Sequence, residues 1–174
     1  AFEHLGQTIE ITQNHHKVEK AERIVLPGVG AFPTAMAKLQ SLHLDEAIWI
    51  ASVLKTPILG ICLGAQLLCT MSEEGEEETP GINILSADVR LIWDGVVPRT
   101  GWQEVTSRDG SHRSYYFNHS YEMLPNDHRF VLGSTDDGIT AVLGQNNILA
   151  VQFHPEKSQE TGLEFLRGWL SSSA

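Results

Sequence analysis

Two short stretches of the sequence hold side chains whose types and spacing suit covalent chemistry. Gly60-Ile61-Cys62-Leu63-Gly64 has the pattern of a nucleophile elbow, with cysteine where another group of hydrolases places serine. A nucleophile on a strained strand-to-helix turn needs small neighbours so that the backbone can pass closely, which the flanking glycines supply. The turn leaves the sulfur at a helix N-terminus, where the partial positive charge favours thiolate over thiol. Backbone N–H groups at the same turn, notably that of Leu63, could face an oxyanion. A cysteine in an apolar run can equally be a small buried hydrophobe, and Cys69, seven residues on and without glycine neighbours, is read that way.

A thiolate needs a base, and Gln152-Phe153-His154-Pro155-Glu156 offers one at the end of an apolar strand. His154 and Glu156 are two positions apart, so in extended backbone both side chains leave on one side and the carboxylate can orient the imidazole. Pro155 stops the strand at the sheet edge, where α/β sheets bind ligands. An isolated His-Pro-Glu also fits a surface turn, and its meaning here comes from occurring together with the elbow. Among the other histidines, His15 and His16 adjoin a charged segment and read as solvated, His43 sits in a helical stretch, and His112 and His128 sit in polar loops. None has metal-ligand spacing with a second His, Asp or Cys, so no metal and no cofactor is expected. His119 follows an apolar strand inside a polar cluster, for which a satisfied turn is the default reading.

The elements that must position these groups can be read from the pattern. Thr8 to Thr12 alternates like a short strand, and Arg23 to Leu26 is a buried strand running into Pro27, Gly28 and Gly30. Phe32 to Leu54 has mostly helical spacing, enough for one helix or two. Pro57 to Ile61 is a strand, and Leu63 to Met71 carries helix formers up to the acidic run Ser72 to Glu78. Further strands are predicted at Asp88 to Ile92, Tyr115 to Asn118, Phe130 to Ser134, Ile139 to Leu143 and Leu149 to Phe153. Gly144, Asn146 and Asn147 make the last two a hairpin. Gly162 to Leu170 closes the chain as a helix with Leu163, Leu166 and Leu170 on one face. Alternating strands and helices followed by hairpins imply an α/β fold: a mostly parallel central sheet with an antiparallel, hairpin-rich second half.

At 174 residues the chain suits one domain. Its 12 Lys+Arg against 22 Asp+Glu give a formal charge of -10, which opposes nucleic-acid binding. No run reaches the ~20 apolar residues of a membrane span. Two cysteines without disulfide spacing, and no secretion signal, suggest a reducing cytoplasm.

With these residues in place, the chain resembles the class I glutamine amidotransferases. The matching stretches are Leu26-Pro27-Gly28-Val29-Gly30-Ala31-Phe32, Gly60 to Leu68, Ser72-Glu73-Glu74-Gly75, Gly101-Trp102, Tyr116 to Tyr121 and Gln152 to Ser158. They span nearly the whole chain in the family's order, and two of them point to its histidine-pathway branch. The resemblance implies a flavodoxin-like three-layer fold and a glutaminase. Cys62 would attack the amide of L-glutamine, His154 would shuttle the proton to the departing ammonia, and Glu156 would hold His154. It further implies Gly30, Gln66, Glu74, Ser120 and Tyr121 as glutamine-binding positions, and Gly28 and Val29, with Leu63, as the oxyanion-stabilising backbone. It implies a cyclase subunit with a TIM-barrel fold as heterodimer partner, with Trp102 at the interface. The departures are Ala65, where the family usually has methionine, and Val97-Pro98-Arg99-Thr100 before Gly101-Trp102. They leave room for a paralogue feeding another acceptor, such as a sugar-aminating system, or for a non-catalytic binding subunit. The family's first strand and the glycine-rich loop after it have no counterpart here, which suggests an N-terminally truncated chain with unpaired backbone groups and an exposed gap.

Overall fold

The computed structural model of the chain describes residues 1–93 and 95–172. The strands are β1 (Ile24–Gly28), β2 (Ile58–Cys62), β3 (Met71–Ser72), β4 (Thr79–Pro80), β5 (Ala87–Leu91), β6 (Arg99–Ser107), β7 (His112–His119), β8 (Tyr121–Pro125), β9 (Val131–Thr135), β10 (Thr140–Gln145) and β11 (Ile148–Val151). The helices are α1 (His15–Glu19), α2 (Phe32–Ser41), α3 (Leu44–Val53), α4 (Leu63–Leu67) and α5 (Gln159–Ser171). Seven strands form one sheet in the order β1-β2-β11-β10-β9-β6-β7, and β4-β3-β5-β8 form a second.

The α/β class and the antiparallel second half are present, with the parallel ladder of the large sheet confined to β1-β2-β11 and one short parallel pair, β3 with β5, in the small sheet. The reason lies in the connections. Helices α2 and α3 carry the chain back from the end of β1 to the start of β2, as parallel pairing requires, whereas the two-residue turn at Asn146 and Asn147 folds β11 straight back on β10. Asn146 takes the left-handed conformation that such a turn demands, φ 55°.

Side chains alternate across β2, and this splits the core in two. Ile58 packs on one face with Phe32, Met36, Ile48 and the buried residues of the small sheet. Leu59 and Ile61 pack on the other with Phe117, Phe153, Leu166 and Trp169. Three layers result, with α5 covering the second face through Gly162, Leu166 and Trp169; the predicted stripe at Leu163 and Leu170 is only half-buried.

Three expectations need correction, and two strands were not foreseen. Thr8 to Thr12 is not a strand: no strand pairs with it, and Ile11 is 94% exposed, so alternation alone did not suffice. The stretch Leu63 to Met71 is helical only to Leu67, because Met71 and Ser72 are drawn into pairing with β4 and β5. Strands β6 and β8 had no signal in the pattern. The end of β11 falls at Val151, two residues earlier than expected. Strand β1 pairs only with β2 and forms an edge of the large sheet.

Candidate active site

The nucleophile elbow is built as the glycines require. Cys62 ends β2 and caps α4 with φ 53° and ψ -115°, a conformation that costs free energy for a residue with a side chain and persists only where the surroundings enforce it. They do so by close packing. A Cβ on Gly64 would lie 1.8 Å from the Leu26 carbonyl oxygen, and one on Gly60 would lie 2.6 Å from the Ala65 Cα. Strand β1 and helix α4 therefore touch backbone to backbone, and Gly28 stands beside Cys62 in the parallel ladder. Cys69 contrasts with Cys62. It is fully buried in the core, and that burial, with Asp88 nearby, pushes its thiol far above the ordinary range, so it is inert at neutral pH.

His154 reaches the elbow from the segment that leaves β11. Its N–H donates to the Tyr116 carbonyl at 2.8 Å, and Ser158 braces the same turn, donating from Oγ to the His154 carbonyl at 2.6 Å and accepting from the Tyr116 N–H at 3.0 Å. Phe153, stacked on Tyr115 at 3.9 Å between ring centroids, anchors the segment from the core side. Pro155 to Lys157 is a single 3-10 turn rather than extended strand, and this turn brings Glu156 back to the imidazole: Oε1 lies 2.8 Å from Nδ1. The pairing expected from the sequence exists by a different backbone route. With Nδ1 committed to the carboxylate, Nε2 is left for the sulfur.

Two partners hold the buried His154 imidazole up, at about 9. The hydrogen bond to Cys62 contributes most and that to Glu156 next, together outweighing desolvation. Partial desolvation pushes the Glu156 carboxyl up, but its bond to His154 prevails and leaves it below the usual value. An imidazolium facing a sulfur is thus the expected state near neutrality. The sulfur also lies 3.8 Å from the Asn118 carbonyl and 3.9 Å from the Gln152 amide nitrogen.

These groups open into a cavity of about 250 Å³ lined by Val29, Gly30, Cys62, Leu63, Gln66, Glu74, Pro98, Asn118, His119, Ser120, Tyr121 and His154. Nine of the twelve positions singled out from the sequence line this one cavity. Of the other three, Gly28 and Glu156 stand behind it, touching Cys62 and His154. Trp102 lies outside on β6, 48% exposed, its ring 6.3 Å from that of Tyr116.

Glu74 is tied down by the Phe32 N–H at the start of α2, 2.9 Å from Oε2. Gln66 is nearly buried, and its amide donates to the Tyr121 carbonyl at 2.8 Å and to Gln152 Oε1 at 3.0 Å. His119 turns out to be part of this wall: Nδ1 lies 2.8 Å from the Tyr121 carbonyl, and burial drives its pKa down to about 4, so it is neutral.

The model for class-I glutamine amidotransferases matches residues 1–170. The imidazole glycerol phosphate synthase subunit HisH of Moorella thermoacetica is 38% identical over 97% of this chain and 85% of its own length. HisH of Lactococcus lactis is 37% identical over 98% and 89%. The chain is a class-I glutamine amidotransferase of the HisH group.

Solved structures agree on the fold of this amidotransferase. A crystal structure of a glutamine amidotransferase superposes with a TM-score of 0.79 at 20% identity, covering 97% of this chain and 88% of that one. The glutaminase domain of Trypanosoma brucei CTPS with bound acivicin gives 0.59 at 18% identity over 92% and 75%. No helix among the described residues of the amidotransferase is long and apolar enough to cross a membrane.

Two groups at the site escaped sequence reasoning. Gln152 is fully buried beside the sulfur, and Ser158 is fully buried beneath the histidine turn. The available signal for Gln152 was its position two residues before His154, an amide in an otherwise apolar run. Elsewhere, His15 and His16, read as solvated, both face Glu19, with Nδ1-to-carboxylate distances of 3.4 and 3.8 Å.

Proposed function

We propose that this amidotransferase hydrolyses L-glutamine to L-glutamate and ammonia as the glutaminase subunit of an imidazole glycerol phosphate synthase, with Cys62, His154 and Glu156 as its catalytic groups. The observation that carries this reading is the imidazole of His154 held between the Glu156 carboxylate and the Cys62 sulfur on the wall of a cavity. The thiolate adds to the side-chain amide carbon, and the negative charge passes to the carbonyl oxygen. The N–H of Leu63, first in α4 and without an intrahelical partner, serves that oxygen together with the Gly28-Val29-Gly30 backbone. Gly30 sits at φ 101°, where a peptide can reorient at little cost.

His154 then gives its proton to the amide nitrogen, the C–N bond breaks and ammonia leaves. Water, deprotonated by the same imidazole, cleaves the thioester to release glutamate and restore the thiol. Glutamine plus water therefore yields glutamate plus ammonia, with no cofactor in the balance. Glu74 suits the substrate's α-ammonium, while Gly30, Gln66, Ser120 and Tyr121 shape the rest of the cavity.

The partner we infer is a cyclase subunit with a TIM-barrel fold that receives the ammonia. Free ammonia is mostly protonated near neutral pH and ammonium is not a nucleophile, so direct transfer favours the reaction. The apolar side chains Val29, Trp93, Val96 and Trp102 are 80%, 95%, 86% and 48% exposed, and Val29 reaches the cavity rim. Surfaces of this kind fit a protein partner. The HisH relatives favour the histidine-pathway reading over a paralogue for another acceptor. Glutamate release, measured with and without the cyclase subunit, tests the assignment. Cys62→Ser should abolish it, and unchanged activity in that variant would defeat the enzyme reading.

A further inference from the structure

A chain of buried amides runs behind the nucleophile, and its direction is fixed. It begins at the Tyr121 main-chain carbonyl, which can only accept. Gln66 must therefore present its amide nitrogen there, at 2.8 Å, and the same nitrogen donates to Gln152 Oε1 at 3.0 Å. An amide whose oxygen is engaged on one side turns its nitrogen to the other, and Gln152 Nε2 points at Cys62 Sγ, 3.9 Å away. The usual ambiguity of a glutamine side chain is thus resolved by a backbone group two links away. Gln152 is fully buried, so its N–H groups have no access to water and the sulfur is the partner they find.

We propose that Gln152 is a positioning residue for the nucleophile: its amide, oriented by Gln66, donates to the Cys62 sulfur and stabilises the thiolate in the place from which it attacks. The proposal rests on Cys62 acting as nucleophile. It adds a donor that neither the elbow nor the histidine supplies. His154 shares its own proton with the sulfur and must give that proton to the leaving nitrogen, whereas the amide keeps its hydrogens throughout. The sulfur therefore has a fixed donor beside it while it is an anion before attack, and again when the thioester is cleaved and it departs as an anion.

The test compares native protein with Gln152→Met, which keeps the volume without a donor, and Gln152→Glu, which keeps the shape but turns an oxygen towards the sulfur. The readout is the pH dependence of Cys62 alkylation by iodoacetamide, followed by mass spectrometry on folded protein. Losing a donor to a charged group should move the half-maximal pH upward by about one unit in Gln152→Met, and further in Gln152→Glu. A change in packing alone would slow alkylation at every pH without moving that midpoint. Midpoints unchanged in a folded variant overturn the proposal. Should methionine at 152 prevent folding, the isosteric glutamate variant carries the same test. The enzyme reading is judged separately, by glutamate release in Cys62→Ser: loss there combined with unmoved midpoints would sink only the role of Gln152.

Discussion

Replacing Gly64 by alanine puts a methyl carbon 1.8 Å from the Leu26 carbonyl oxygen, 2.6 Å from the Leu26 carbonyl carbon and 3.1 Å from that of Pro27. Real Cβ contacts do not fall below 3.0 Å, so β1 and the start of α4 must separate by about 1.2 Å. All three obstacles are backbone, and none can swing aside as a side chain could. The strain should cost about 1–3 kcal/mol, the usual range for overpacking, and lower the melting temperature by several degrees, at roughly 2–4 °C per kcal/mol for a chain of this size. Activity should suffer more. The displaced elbow carries the sulfur and the Leu63 N–H, and β1 carries the backbone facing them, so both sides of the reacting geometry move. A misplacement of this order costs about 10²-fold in rate. The assay is kcat/KM for glutamate release, with calorimetry on the same samples. Gly168→Ala is the control: nothing lies within 4 Å of the new carbon in α5, and it should stabilise by about 0.5–1 kcal/mol with unchanged activity. A Gly64→Ala enzyme with native melting temperature and kcat/KM within twofold would refute the close-packing argument.

Three further outcomes are expected. His154 is raised from 6.5 to about 9 in the fold, so its stabilising contribution is complete below pH 6.5 and lost as pH rises through 9. The stability gap between wild type and His154→Asn should accordingly shrink across that window, by at most about 3 kcal/mol; a gap constant with pH contradicts the ion pair. Iodoacetamide at pH 8 should label Cys62 and spare Cys69 until the protein unfolds, which peptide mapping can check. Glu74→Gln should raise KM for glutamine at least tenfold with little change in kcat, if this carboxylate meets the substrate's ammonium; a pure kcat effect would move Glu74 out of the binding wall.

What could be read in advance divides along physical lines. Elbow and histidine were legible because their chemistry demands particular residues at short range: glycine where backbones touch, a carboxylate two positions from the imidazole. The hairpin of β10 and β11 was legible through Asn146. Strand β6 was not, since Arg99 to Ser107 has a polar, mostly half-exposed pattern with Gly101 inside it, and what makes it a strand is eight register pairs with β7. Thr8 to Thr12 failed in the opposite way, with the alternation of a strand and nothing to pair with. Glu74 was visible only through the family resemblance, for an acidic loop gives no local reason to prefer one carboxylate. Gln152 was hidden because its value depends on Gln66 and Tyr121, far away in sequence.

Ser120 is the single residue between β7, which ends in the large sheet, and β8, which begins in the small one. The sulfur and the imidazole are both carried by the large sheet, whereas Tyr121 and the loop bearing Glu74 belong to the small one. A tilt of the small sheet about this joint would reshape the bed in which glutamine lies while leaving the thiol-to-imidazole spacing alone. Fit for substrate thus leans on the small sheet and the thiol-to-imidazole spacing on the large one, and the Tyr121–Gln66–Gln152 amide chain is the thread by which movement of the first would be felt at the sulfur.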